Sequence, residues 1–140
     1  STANVYILAN DMIRDVVYTE AGDARRRLFH KRALDILEDA QNPTAVLAHH
    51  ALTAGLTEVA FRYSLVAGQE ALRLVATNDA IAHFEQARQL VHGGSFSRTE
   101  FEAEIRDLYT QLARTYELNN QHQHALAVYD ELEDVMQKLS

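Results

Sequence analysis

The chain has 140 residues, the length of one domain, since single domains most often run to about 100–150 residues, and this leaves little room for a two-domain enzyme. Its 47 % hydrophobic and 24 % charged residues suit a globular protein with a sizeable core and exclude intrinsic disorder. Thirteen Lys and Arg against 20 Asp and Glu give a net charge of −7, a field that repels nucleic acid and anionic lipid, and the lack of cysteine excludes disulfides, thiolate metal sites and Cys nucleophiles.

One proline and five glycines are too few for a β-sandwich or barrel, which needs a turn signal about every 8–12 residues, so a few long helices are expected. No stretch reaches the roughly 18–20 consecutive apolar residues of a membrane span, and the first residues lack a basic start followed by an apolar block. The expected location is cytoplasmic. Ser1-Thr2-Ala3-Asn4 carries no initiator Met and runs straight into Val5-Tyr6-Ile7-Leu8, which reads as an excised piece of a longer protein.

Val5, Tyr6 and Ile7 favour a strand at 5–9, and Met12, Ile13, Val16 and Val17 mark a short helix at about 11–19. The strand has no evident partner and could pair between copies, so a homo-oligomer is possible. Gly22 breaks the chain and Asp23 can cap a second helix with Phe29, Ala33, Ile36, Leu37 and Ala40 on one face. Asn42-Pro43 starts a third that stops at Gly55. Thr57 caps a fourth, whose inner side is dominated by small residues (Ala60, Ser64, Ala67, Gly68, Ala71), as close helix approach requires. Thr77 or Asn78 caps a fifth, bearing Ala80, Ile81, Phe84, Ala87 and Val91 and ending at Gly93-Gly94. Ser97 and Glu100 form an S-x-x-E capping box for a sixth, on which Ile105, Leu108, Tyr109, Leu112, Ala113 and Tyr116 follow the helical stripe without a miss. A seventh carries Ala125, Val128, Tyr129, Leu132, Val135, Met136 and Leu139.

No residue set points to catalysis or to a cofactor. His49-His50 and His122/His124 lack the i, i+4 spacing of helical metal sites, and His30 and His49 read as packing or hydrogen-bonding residues. Ser64 has no G-x-S-x-G context, and the chain holds no Gly-x4-Gly-Lys-Ser/Thr phosphate loop. The chain is therefore expected to be neither an enzyme nor a metal protein. Arg25, Arg26, Arg27, Lys31 and Arg32 are a local exception to the acidic balance, and they stand in the first turns of their helix, against the dipole's preference. A nucleic-acid contact through residues 25–32 is the alternative reading. A salt-bridge role is preferred, with the acidic edge of the last helix (Asp130, Glu131, Glu133, Asp134) as one partner.

Two segments share a design: A-x3-F-x2-A at Ala80, Phe84 and Ala87, and A-x3-Y-x2-L at Ala125, Tyr129 and Leu132. This resembles the tetratricopeptide repeat, a helix-turn-helix of about 34 residues with the pattern W-x2-L-G-x2-Y, A-x3-F-x2-A, then P. Residues 106–139 match with Tyr109, Leu112, Ala113, Tyr116, Ala125, Tyr129 and Leu132, with Gln137 in place of the proline, and residues 61–94 match more loosely from Ser64 to His92. An 11-residue excess, Ser95 to Ile105, separates them, and helices near 24–40 and 44–54 would make a third, atypical pair. The resemblance implies an all-α fold of antiparallel hairpins stacked as a right-handed superhelix over 23–140. It places the concave, partner-binding face at Arg62, Gln69 and Arg73 in one repeat and at Asp107, Thr110, Arg114 and Glu117 in the other.

The stretch from Tyr6 through Asn10-Asp11-Met12-Ile13-Arg14-Asp15-Val16-Val17-Tyr18, followed by Arg26, Arg27 and His30, resembles the junction in large bacterial signal-transduction ATPases. These include MalT-like and LuxR-type regulators and cyclase-linked relatives. There, H-D-L-I-R-x-x-V-Y closes a winged-helix subdomain and R-R-x-L-H-x-x-x-A leads into tetratricopeptide-like repeats. This chain departs from the pattern with Asn10 at the His and Phe29 at the Leu. The resemblance implies that 1–22 is the end of a winged-helix-like subdomain. It further implies that 23–140 is a non-catalytic arm through which a protein partner, a small inducer or neighbouring domains of the same chain act on a transcriptional regulator or signalling ATPase.

Overall fold

A computed structural model of the protein describes residues 22–39 and 43–139. The expected strand at 5–9 and helix at 11–19 lie outside the described residues. Among those described there are six helices and no strand: α1 (Asp23–Asp39), α2 (Thr44–Thr53), α3 (Thr57–Arg73), α4 (Thr77–Val91), α5 (Glu102–Leu118) and α6 (His122–Leu139). The all-α expectation is met. The chain forms two compact units, Ser1–Tyr63 and Ser64–Ser140, with the division falling inside α3.

In the first unit α1 packs on α2. Ala33 and His30 of α1 and Leu47, Ala48, His50 and Ala51 of α2 are buried. Arg27 lies beside Gly55, and the His30 ring sits 5.8 Å from that of His50, so the two helices run antiparallel.

In the second unit α4 packs on α5 and α5 on α6. The stripe predicted for α5 is buried throughout, and Ala80, Phe84, Ala87 and Val91 of α4 have no exposed surface. Ser64, Ala67 and Gly68 of α3 are buried as well, and the absence of a side chain at Gly68 lets the ring in: a Cβ there would stand within 2.5 Å of a Phe84 ring carbon. Bonds at both ends fix the antiparallel sense of α5 and α6. Arg106 reaches the Met136 sulfur at 3.5 Å, and Tyr116 stacks on His124 with ring centres 5.1 Å apart.

Three of the helix junctions use one turn. The chain enters the left-handed region at Gly55 (φ 76°), Val75 (φ 57°) and Asn120 (φ 59°). The residue after each returns its N–H to the carbonyl five positions back, Leu56 to Ala51 and Ala76 to Ala71 at 2.9 Å and Gln121 to Tyr116 at 2.8 Å. This is the Schellman closure, which satisfies the carbonyls a helix end leaves free.

Two start signals are corrected. Helix α4 begins at Thr77 with Ala76 at its N-cap and no side-chain cap, so neither Thr77 nor Asn78 caps it. Helix α5 begins at Glu102, and the Ser97/Glu100 capping box does not form. The intervening segment is held by burial instead: Phe96 and Phe101 are both buried with rings 5.2 Å apart, and Arg98 Nε donates to the Val91 carbonyl at 2.9 Å, closing the end of α4. Two buried aromatics outweigh one cap, which is worth about 1 kcal/mol.

Candidate functional site

The second unit contains an open groove of about 500 Å³ lined by Gln69, Leu72 and Arg73 of α3 and Gln111 of α5. The three α3 positions are related by i+3 and i+4 and so share one face. Gln69 and Leu72 are half-buried and Arg73 is exposed, as expected for side chains walling a groove. Two amides offer donors and acceptors for peptide or polar ligands, Arg73 adds a cation, and Leu72 gives an apolar floor.

Of the seven residues expected on a partner-binding face, Gln69 and Arg73 line this groove. Asp107, Arg114 and Glu117 are exposed on α5 outside its lining, and Thr110 is half-buried with its hydroxyl donating to the Arg106 carbonyl at 2.8 Å. Arg62 is exposed and belongs to the first unit. Sequence reasoning missed Gln111, although it stands four residues after Asp107 and three before Arg114, on the same outward stripe.

A second feature of this unit was not legible as such. Arg88 of α4 makes a two-point pair with Glu131 of α6, Nε to Oε2 at 2.6 Å and Nη2 to Oε1 at 3.1 Å. Its Nη1 donates to Glu85 at 3.0 Å, and Tyr116 of α5 donates its hydroxyl to the same Glu85 at 2.8 Å. His92 Nε2 lies 3.3 Å from both Glu131 and the Tyr109 hydroxyl. Burial alone would raise the Glu131 pKa, but hydrogen bonds from Arg88, Tyr109 and His92, with the Arg88 charge, hold it down to about 2. The bond to Glu131, opposed by burial, raises the Arg88 pKa further. Burial, then the bond to Glu85, pushes Tyr116 up to about 12. The network ties three helices at one register. Glu131 is therefore engaged by Arg88, His92 and Tyr109 rather than standing on a free acidic edge.

In the first unit His30 and His50 are 4 % and 2 % exposed, and among the described residues neither Nδ1 has a hydrogen-bond partner. Burial, then the neighbouring His49, lowers the His30 pKa, and the same causes with His30 added bring His50 down to about 4. Both rings are thus neutral at pH 7. His49, expected to pack, is exposed, and His50 takes the buried place. Among the described residues no group of three or more His, Cys, Asp or Glu side chains is arranged to hold a metal ion. Nor is any described helix long and apolar enough to cross a membrane.

No family model, curated protein or solved structure matches this chain.

Proposed function

We propose that the chain is a non-catalytic, tetratricopeptide-like scaffold in which the groove between α3 and α5 takes an extended peptide segment or a small inducer. The observation that carries this reading is the position of the groove: it opens between the first helices of the two repeat-like pairs, with Gln69, Arg73 and Gln111 facing it. Supporting it, Ser64, Ala67, Gly68, Ala80, Phe84 and Ala87 of one pair and Tyr109, Leu112, Ala113, Tyr116 and Ala125 of the other are buried where the repeat needs small or apolar residues. A right-handed superhelix and a place in a multidomain bacterial regulator, next to a winged-helix-like remnant at 1–22, are the larger form of the same proposal.

The test is selection of peptides from a random display library against the chain, followed by titration of the binders monitored by amide resonances. Shifts at Gln69, Arg73 and Gln111, with at least about tenfold weaker binding after Arg73→Ala/Gln111→Ala, are expected. Binders whose affinity ignores both substitutions would remove the groove from consideration.

A further inference from the structure

We propose that the chain associates head to tail with itself, the basic outer face of α1 in one copy docking on the acidic, open face of α6 in another. Positions 45 apart in the two repeat-like pairs have the same place in the design, so α4 and α6 can be compared residue by residue. On α4, Phe84, Ala87 and Val91 have no exposed surface. Their equivalents on α6, Tyr129, Leu132 and Met136, are only half-buried, and Leu126 is 61 % exposed. The chemistry of the two stripes is alike, but α4 has both α3 residues and α5 against it, while among the described contacts α6 has α5 and, at Glu131 away from this stripe, Arg88 and His92. Among the described residues, no helix covers this half-buried stripe of α6 as α3 covers α4. Its rim is acidic: Leu126, Tyr129, Asp130 and Glu133 follow i, i+3, i+4, i+7 along one stripe, and both carboxylates are exposed.

Helix α1 has the complementary character. Leu28, 49 % exposed, stands opposite buried His30 and Ala33, with Arg25 and Arg32 to one side of it and Arg27 and Lys31 to the other, all four exposed. An exposed leucine between two cationic rows fits an exposed leucine and half-buried aromatic beside a carboxylate row. The pairing also suits the net charge of −7, which disfavours association through like faces: two α6 faces would bring Asp130 and Glu133 against their own copies. Contacts of this kind join unlike surfaces and can propagate beyond two copies.

The experiment is sedimentation equilibrium of the 140-residue chain at low and high salt, with helicity checked by circular dichroism. One variant carries Asp130→Lys/Glu133→Lys, the other Lys31→Glu/Arg32→Glu. The wild type should gain mass with concentration, with Kd on the order of 10–100 µM for so small an interface, and lose the gain at high salt. Each variant alone should stay monomeric, and an equimolar mixture should regain the association, because each supplies the face the other needs. A wild type that stays monomeric, either variant associating alone as the wild type does, or a mixture that stays monomeric would overturn the proposal. Duplex DNA binding that Lys31→Glu/Arg32→Glu removes, with no self-association in the wild type, would assign the basic face to nucleic acid instead.

Discussion

The two units dispose of their interior polar groups in opposite ways. In the hairpin α1–α2 two imidazoles are enclosed 5.8 Å apart, each with an unpartnered Nδ1 among the described residues. Around α4, α5 and α6 the chain buries four polar groups in part, and Arg88, Glu85, Glu131 and Tyr116 answer one another with bonds of 2.6 to 3.1 Å. A satisfied network fixes the register of the helices it joins, whereas an unsatisfied buried group only costs stability. The second unit should therefore be the more rigid, and the first the more conditional on pH.

The strongest way to break this contrast is to remove the apolar keystone of the second unit. Phe84→Ala should cost about 3–5 kcal/mol, because the ring is fully buried against Gly68 and its loss leaves a cavity. Gly68→Ala should cost about 1–3 kcal/mol, although alanine is the better helix former, since its methyl group has to displace that ring. Urea denaturation read by circular dichroism measures both, and a Gly68→Ala variant as stable as the wild type would contradict the packing.

The network itself comes next. Arg88→Met leaves two carboxylates without their cation and should cost about 2–3 kcal/mol, the groups being about a quarter exposed rather than fully buried. Arg88→Met/Glu131→Leu should recover about half of that loss, because it removes the two-point partner while Glu85 stays without its cation. Failure of the second change to rescue the first would show that the two side chains act separately.

The pH dependence separates the units directly. A histidine whose folded pKa lies below its ordinary value binds its proton more readily when unfolded, so stability is whole above pH 6.5 and falls as the pH drops toward about 4. For His50 the loss should be on the order of 3 kcal/mol across that window, about 2 of it above pH 5. Glu131 is the reverse case: its contribution is whole above its ordinary value of 4.5 and lost only as the pH falls toward about 2. Hydrogen exchange from pH 7 to 5 should thus loosen α1 and α2 and leave α4 to α6 unchanged, and His50→Gln should remove most of the effect.

Why some of this was legible and some not follows from range. The stripes of α4, α5 and α6 depend on spacing within one helix, and their buried residues stand where periodicity put them. The network depends on which helices become neighbours, so nothing along α4 marks Arg88 and Glu85, and Glu131 reads as one of four residues on an acidic edge meant for the basic run at 25–32. The missed start of α5 has the same origin, since only the fold brings Phe96 and Phe101 together. Half of the groove was within reach: Gln69 and Arg73 came from the repeat resemblance, while Gln111 was passed over because polar rows offer no apolar signal to mark which member faces a neighbour.

The smallest effect tests the turns that the two units share. Gly55 in the first and Val75 in the second close their helices with the same left-handed residue and the same five-back hydrogen bond of 2.9 Å. For glycine that conformation is free of steric cost, but for a β-branched residue it costs roughly 1–2 kcal/mol. Val75 is 78 % exposed, so its side chain recovers little of this by packing. Val75→Gly should therefore stabilise the second unit by about 0.5–1 kcal/mol after the greater freedom of glycine in the unfolded chain is subtracted, and Val75→Asn by slightly less. Gly55→Val, the mirror experiment, should destabilise the first unit by about 0.5–1 kcal/mol, since it places in that turn the strain Val75 already carries in the other, less the same unfolded-chain contribution. Equal and opposite shifts in thermal midpoint would show that the two turns are energetically the same device, and a destabilising Val75→Gly would mean that the valine side chain contributes a contact outweighing its backbone strain.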